Sequence, residues 1–95
     1  IIRAVADSFG ITVERMLSRE RSRRVAVPRQ VAMYLLREEA NLSLPQIGEM
    51  LGGRDHTTVM YGCDKVADLL ERDSRMRRQV LSLREQLYGE ARLHV

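Results

Sequence analysis

"SLPQIGEMLGGRDHTTVMYGCDKV", residues 43–66, is the stretch that decides the fold of this chain. Its first residues form an S-x-x-Q capping box, in which the Ser43 hydroxyl and the Gln46 side chain satisfy free N–H groups at a helix start. Gly52 and Gly53 predict the end of that helix, because glycine takes the left-handed conformation without a steric penalty. The stretch therefore predicts a short helix from about Pro45, a tight turn and a second helix. Ile47, Met50 and Leu51 are expected to form the apolar side of the short helix.

The second helix has an apolar side and a hydrogen-bonding side. Asp55 is placed to cap it, and the apolar side repeats at helical spacing through Val59, Cys63, Val66 and Leu70. The other side presents Asp55, His56, Thr57, Thr58, Tyr61, Lys65 and Asp68. Asp, His and Thr side chains can bond to base edges, whereas a helix that needs only solubility would carry more Glu, Lys and Arg. The layout is that of a helix-turn-helix, with a plain bundle and a purely capping Asp55 left open.

The remaining chain predicts helices only. Apolar residues recur at helical spacing in four further segments, over about 1–9, 13–17, 28–40 and 74–88. Gly10, Asn41 and Gly89 are the expected stops, and Thr12 and Pro28 the expected starts of the helices that follow them. No segment alternates β-branched residues, so we expect an all-α fold. Residues 90–95 are expected to be a frayed tail.

Positive charge is concentrated in one short segment. Arg19 to Arg29 contains five arginines and one acid, Glu20, which gives +4 in a chain whose formal net charge is +3. Such a concentration suits a polyanion-binding surface, although a solvated loop remains an alternative. We expect residues 18–27 to be a basic loop before a helix that starts at Pro28.

Several function classes lack the residues that they require. The four aromatic side chains are scattered, which disfavours a base-stacking surface for single strands. His56 and Cys63 lie two helical turns apart, about 10.5 Å, too far for one zinc ion or for a nucleophile and its base. "GGRDHTT" also lacks the lysine and the spacing of a nucleotide-binding loop. We therefore expect no metal site, no cofactor and no enzymatic activity in this chain.

The single cysteine, Cys63, allows no intrachain disulfide and favours an intracellular, cytoplasmic protein. No apolar run is long enough for a membrane span, and no signal peptide is evident. The chain opens at Ile1 within a helical pattern, so we interpret it as a fragment of a longer protein. The fragment itself has the length of one small domain.

Gly62 lies inside the second helix, where glycine is unfavourable. Its presence requires close approach by another helix or by DNA, and helix packing is the favoured explanation.

Residues 28–66, "PRQVAMYLLREEANLSLPQIGEMLGGRDHTTVMYGCDKV", with the preceding "RERSRRVAV", resemble the C-terminal DNA-binding domain (domain IV) of bacterial DnaA replication initiators. The resemblance extends from about Val13 to Leu70, and "GGRDHTTV" followed by Lys65 and Val66 is the centre of the family signature. Gly62 stands where the family usually has Ser or Ala. The resemblance implies a Trp-repressor-like helical domain that binds nonamer boxes in duplex DNA at the replication origin.

Site residues are carried over from the family position by position. The resemblance implies base contacts in the major groove by Asp55, His56, Thr57 and Thr58, and in the minor groove by Arg21. It implies phosphate contacts by Ser22, Arg23, Arg29, Gln30, Arg37, Leu44, Pro45, Arg54 and Lys65. The charge distribution agrees with this division, because phosphate contacts give affinity and register while base contacts discriminate sequence.

The resemblance also implies a domain organisation and partners. Residues 1–10 would end the helix that links the domain to an absent ATPase domain, residues 11–89 would be the DNA-binding domain, and residues 90–95 its tail. ATP would bind the ATPase domain of the parent protein. The partner would be double-stranded origin DNA, with one monomer per box at the nucleoid; acidic phospholipids and regulatory proteins are further partners of the parent.

Two alternatives of other classes remain. The first is a helical module that binds proteins or an acidic membrane surface, with the segment Arg19 to Arg29 against anionic lipid. Its membrane version is disfavoured because no helix combines a cationic face with bulky aromatics. A dimeric repressor would need an exposed apolar seam, and the stripe over residues 76–87, the only candidate, is expected to be core.

Overall fold

Helices follow one another along residues 1–93, the part of the chain whose backbone is described in this computed structural model. Side chains are described as far as Gly89. The helices are α1 (Ile2–Phe9), α2 (Val13–Leu17), α3 (Arg23–Glu38), α4 (Leu44–Met50), α5 (His56–Arg72) and α6 (Ser74–Leu93). The described residues contain no strand, and the predicted all-α class is confirmed.

Helix α3 lies at the centre of the fold. It packs against α1, α2, α4 and α5, while α5 also contacts α4 and α6. The core includes the fully buried side chains Val5, Met16, Val31, Leu35, Ile47, Leu51, Val59 and Val66. Val80 and Leu83 of α6 are 1% and 2% exposed, so the stripe over residues 76–87 contributes to the core as predicted.

The predicted starts of α2 and α4 are confirmed by their capping bonds. The Thr12 side chain accepts a hydrogen bond from the Arg15 N–H at 3.1 Å, and α2 follows it. Ser43 and Gln46 form both bonds of the capping box, with Pro45 in the first turn of α4. These starts were predictable because each depends on residues within one helical turn.

The start of α3 is a correction. We predicted a basic loop over residues 18–27 and a helix from Pro28, but α3 begins at Arg23 and Pro28 lies inside it. Proline removes the bond that its own N–H would give to the Arg24 carbonyl, and its ring crowds that same carbonyl. Arg24 is exposed, so water can satisfy that carbonyl, while Val25 is fully buried. Burial in the core therefore outweighs the lost bond, and the basic loop shortens to residues 18–22.

Two smaller predictions are also wrong. Helix α6 continues through Gly89 to Leu93, because a glycine in a helix costs only about 1 kcal/mol and the next residues are good helix formers. Residues 94–95 of the predicted tail lie outside the described residues. Met50, predicted to join the apolar side of α4, is 44% exposed, whereas Ile47 and Leu51 are fully buried.

Helix α1 belongs to the same core as the other helices. Val5 is fully buried and Ala6 is 1% exposed, and α1 packs against α3 and α6. Gly10 ends the helix with a φ of 68°, as predicted. The division of the chain at residue 10 stays a prediction.

Candidate nucleic-acid interface

The turn between α4 and α5 is held by backbone contacts. Gly52 and Gly53 have φ angles of 84° and 78°, the left-handed values predicted for this turn. The Gly48 carbonyl accepts hydrogen bonds from the Gly53 N–H at 3.0 Å and the Arg54 N–H at 2.9 Å. A Cβ added to Gly48 would lie 1.9 Å from the Arg54 carbonyl oxygen. The angle between the two helices therefore depends on this contact of main chain with main chain.

Gly48 is a structurally important position that was not predicted from the sequence. Its signal was a glycine within a seven-residue helix, at a position where alanine would favour the helix.

The first turn of α5 projects from the domain. Asp55, His56, Thr57 and Thr58 are all exposed. The Asp55 carboxylate accepts a hydrogen bond from the Thr58 N–H at 2.9 Å, so the predicted N-cap is confirmed. That bond holds the pKa of the Asp55 carboxyl below its ordinary value, and the group is an anion at neutral pH. Contacts of these four residues with bases stay predictions.

The opposite side of α5 anchors the helix in the core. Val59 and Val66 are fully buried and Cys63 is 3% exposed, as predicted, while Leu70 is half-buried. Burial raises the pKa of the Cys63 thiol, which is therefore uncharged at neutral pH. Gly62 meets α3, because a Cβ added there would lie 2.5 Å from Met33 Sδ. The favoured explanation of Gly62, helix packing, is thus confirmed.

Helix α5 also exposes an aromatic and a cation further along. Tyr61 is 59% exposed, and Lys65 Nζ lies 5.8 Å from the centre of its ring. The distance fits a cation–π contact. This contact orients Lys65, which is one of the predicted phosphate-contacting residues, on the exposed side of the helix.

The shortened basic loop, residues 18–22, has an ordered internal structure. The Arg15 guanidinium donates two hydrogen bonds to the Glu20 carboxylate, at 2.8 and 3.3 Å, and the Ser22 hydroxyl donates a third at 2.7 Å. These partners keep the pKa of Glu20 low. The one acid of the loop is thereby paired, while Arg19 and Arg21 are exposed.

Arg29 secures this loop to α3. It is 7% exposed, and its guanidinium donates to the carbonyl oxygens of Met16, Ser18, Glu20 and Arg15, at 2.7, 2.9, 3.0 and 3.3 Å. Those bonds use four of the five N–H groups that an arginine offers. The predicted phosphate contact of Arg29 stays a prediction with one N–H group left for it, and its observed role is to hold the loop.

Arg54 joins the turn to the same loop. Its Nη1 donates to the Leu51 carbonyl and its Nη2 to the Ser18 carbonyl. Burial lowers the pKa of Arg54, and the charge of Arg19 lowers it further. The guanidinium nevertheless stays protonated at neutral pH, because arginine titrates far above it.

A cleft of about 490 Å³ brings the basic loop and the tip of α5 onto one surface. It is lined by Arg19, Arg21, Arg29, Gly52, Gly53, Arg54, Asp55 and Thr58. Arg19 was absent from the predicted site residues, although the run of arginines that contains it was the signal. The arrangement offers several guanidinium groups around one carboxylate, which suits a phosphate backbone with base edges beside it.

The other predicted residues lie outside the lining of this cleft. Leu44 and Pro45 form the first turn of α4, and Leu44 is half-buried. Gln30 is half-buried on α3 beside Gly62, while Arg23 and Arg37 are exposed at other positions of α3. His56 and Thr57 are exposed next to the cleft at the start of α5.

The described residues offer neither a metal-binding cluster nor a membrane-spanning helix. No three His, Cys, Asp or Glu side chains there come close enough together to hold a metal ion. Within the same part of the chain, no helix has both the length and the apolar character to cross a membrane.

Comparison with known proteins identifies relatives of this chain. Residues 1–66 match the family model described as "Bacterial dnaA protein helix-turn-helix". The chain is 58% identical over 87 residues to a chromosomal replication initiator protein DnaA of Chloroflexus aurantiacus, and 56% identical over 90 residues to that of Herpetosiphon aurantiacus. These alignments cover 92% and 95% of this chain but only 18% and 19% of the relatives, so the chain spans about a fifth of their length.

A solved structure has the same fold. The crystal structure of a DNA replication initiation factor superimposes with a TM-score of 0.82 at 30% identity, over 94% of this chain and 27% of that one. The structure thus agrees with the sequence relatives over nearly the whole chain. Because the family model matches about two thirds of it, the chain belongs to the family of bacterial DnaA helix-turn-helix domains.

Proposed function

We propose that the domain binds double-stranded DNA in a sequence-specific manner at a bacterial replication origin, at nonamer boxes. The observation that carries the proposal is the cleft where the basic loop and the tip of α5 share one surface. A duplex presents the grooves on either side of a phosphate backbone, so two neighbouring protrusions can enter both grooves at once. The relatives that the chain matches are named chromosomal replication initiators.

The first turn of α5 would lie in the major groove. His56, Thr57 and Thr58 are exposed there beside the anionic Asp55. Aspartate accepts from the cytosine amino group, threonine bonds to a base or offers its methyl group to thymine, and histidine can donate or accept. An anion would be repelled by phosphate, so a carboxylate at this tip suits a base donor or a neighbouring guanidinium. Asp55 can serve as cap and base contact together.

Arg21 would enter the minor groove. It is exposed, and it belongs to a loop whose one acid is already paired with Arg15. Arginine is favoured in narrow minor grooves, which have enhanced negative potential. This contact would favour a narrow, A·T-rich stretch of the box.

Phosphate contacts would supply affinity and register. The proposed set is Ser22, Arg23, Arg29, Gln30, Arg37, Leu44, Pro45, Arg54 and Lys65. Leu44 would act through its main chain, because N–H groups in the first turn of a helix lack partners inside the helix. Pro45 has no N–H and would contribute only by contact. Ser22 would have to redirect a hydroxyl that now donates to Glu20.

The parent protein would supply what this domain lacks. We propose that residues 1–10 lead to an ATPase domain and that the residues from position 11 onward form the DNA-binding domain. The domain itself would need no cofactor and catalyse no reaction. One monomer per box would act at the nucleoid in the cytoplasm, and acidic phospholipids or regulators would be partners of the parent.

Binding to duplexes that differ by one base pair, measured at several salt concentrations, tests the proposal. His56→Ala should cost about 1 to 3 kcal/mol on the preferred site and little on random DNA. Arg23→Ala should weaken binding to both and reduce the salt slope by about one unit. If His56→Ala loses the same affinity for specific and random DNA, α5 does not discriminate bases and this part of the proposal is wrong.

A further inference from the structure

The basic loop, residues 18–22, and the first turn of α5 come from distant parts of the chain. The chain segments directly before each of them are in contact. The basic loop begins where α2 ends, and a Cβ added to Gly52 would lie 2.4 Å from the Leu17 carbonyl oxygen. Next to this contact, the Ser18 carbonyl accepts the hydrogen bond from Arg54. The start of the loop, at Leu17 and Ser18, therefore packs directly against the turn that precedes α5.

Arg54 is the side chain that bridges loop and turn. One arm of its guanidinium donates within the turn, to the Leu51 carbonyl, and the other donates to Ser18 in the loop. A planar guanidinium holds two acceptors in a fixed relation, which a lysine ammonium on its flexible stem does not. Among the described hydrogen bonds of side chains, this is the one that joins residues 18–22 to residues 51–55.

The bridge is built at an electrostatic cost. Ser18 also accepts from Arg29 Nη2 at 2.9 Å, so two guanidinium groups converge on one carbonyl oxygen. Burial lowers the pKa of Arg29, and the charge of Arg54 lowers it further. A phosphate contact alone would not require Arg54 to approach another cation and bond inward. The geometry instead suits a structural contact in which Arg29 of α3 and Arg54 of the turn both bind the Ser18 carbonyl of the loop.

We propose that Arg54 is a positioning residue that fixes the loop carrying Arg21 against the first turn of α5, so that minor-groove and major-groove contacts form in a single geometry. The inference rests on the proposed function, because it concerns how two proposed contacts are coordinated. It differs from the phosphate role suggested by the resemblance, because it assigns the guanidinium to protein carbonyls and predicts an effect on base discrimination.

The test compares Arg54→Lys with Arg21→Ala, the double variant, and Arg75→Lys as the matched control. Arg75 is exposed on α6 and has no place in the proposed interface. Arg54→Lys keeps the charge but loses the bridge. It should reduce discrimination at the base pairs read by Arg21 about tenfold, within the range that one base contact contributes. The double variant should then bind no more than about twofold worse than Arg21→Ala alone, because the two changes remove one contact.

Other outcomes would overturn the proposal. Independent, multiplicative losses, or an equal loss of affinity for specific and random DNA with unchanged discrimination, would make Arg54 a phosphate contact. If Arg54→Lys binds DNA as the wild type does, Arg54 has no role in positioning the loop. Thermal unfolding of each variant, with circular dichroism, separates these results from loss of the fold.

A measurement without DNA separates this inference from the proposed function. Amide hydrogen exchange over residues 18–22 should accelerate in Arg54→Lys and not in Arg75→Lys, because the loop loses its bond to the turn. Unchanged exchange would refute the bridge even if the domain reads DNA. If the wild-type protein fails to distinguish duplexes but the loop amides respond, the proposed function fails while the bridge stands.

Discussion

Replacing Gly48 with alanine would test whether the angle of the helix-turn-helix is set by the main chain. The added Cβ would lie 1.9 Å from the Arg54 carbonyl oxygen, whereas ordinary contact begins at 3.4 Å. The turn would have to retreat by about 1.5 Å to relieve this overlap. The Arg54 carbonyl belongs to the backbone, so no side-chain rotation can provide that space.

The retreat would break the two hydrogen bonds that the Gly48 carbonyl accepts from Gly53 and Arg54. Each is worth about 1 kcal/mol, and overpacking adds about 1 to 3 kcal/mol. Alanine recovers about 1 kcal/mol through its higher helix propensity. We therefore expect Gly48→Ala to lower the free energy of unfolding by about 2 to 4 kcal/mol.

Urea denaturation followed by circular dichroism measures this loss, with Gly89→Ala as the control. A Cβ added to Gly89 meets nothing within 4 Å, and this glycine also lies inside a helix. The control should gain about 0.4 to 1 kcal/mol, since alanine reduces the entropy of the unfolded chain. If Gly48→Ala is as stable as the wild type, or gains as much as the control, the contact does not fix the turn.

Two further predictions concern the capping carboxylate and the buried guanidinium. Because the pKa of Asp55 is lowered in the folded state, its stabilisation is present above the unfolded-state pKa and is lost as the pH falls through the folded-state value. Asp55→Asn keeps a capping acceptor without the charge. As the pH falls from roughly 5 to 2, the wild type should lose this stabilisation, so the difference between its urea midpoint and that of the variant should shrink. A difference that stays constant with pH would contradict this assignment. Arg29→Met should cost about 2 to 4 kcal/mol of unfolding free energy, because the carbonyls it serves lose their donors. An unfolding midpoint equal to that of the wild type would show that water replaces the guanidinium.

The sequence predicted the features that depend on neighbouring residues. The Ser43 capping box, the Asp55 cap and the left-handed glycines at positions 52 and 53 each follow from a few side chains within one turn. The buried side of α5 follows from its apolar repeat. These elements include the whole turn and the exposed tip of α5, so the centre of the candidate site was predictable from local chemistry.

The features that it missed depend on distant residues. Helix α3 starts at Arg23 because Val25 reaches the core, and no local signal outweighs the proline that follows. The inward hydrogen bonds of Arg29 were not predicted, since a run of arginines does not show which one turns inward. The clash at Gly48 involves a carbonyl that only the folded turn brings near.

The bond between Arg54 and Ser18 closes 36 residues of chain, whereas the capping bonds and the turn form within a few. Local elements form early in folding, and contacts across long loops must first offset the entropy of closing them. The helix-turn-helix could therefore take shape before the basic loop is seated. A peptide comprising residues 43–66 would contain the proposed major-groove contacts of α5 without the proposed minor-groove contact of Arg21. The proposed selectivity for DNA sequence would then be among the last properties that the chain acquires as it folds.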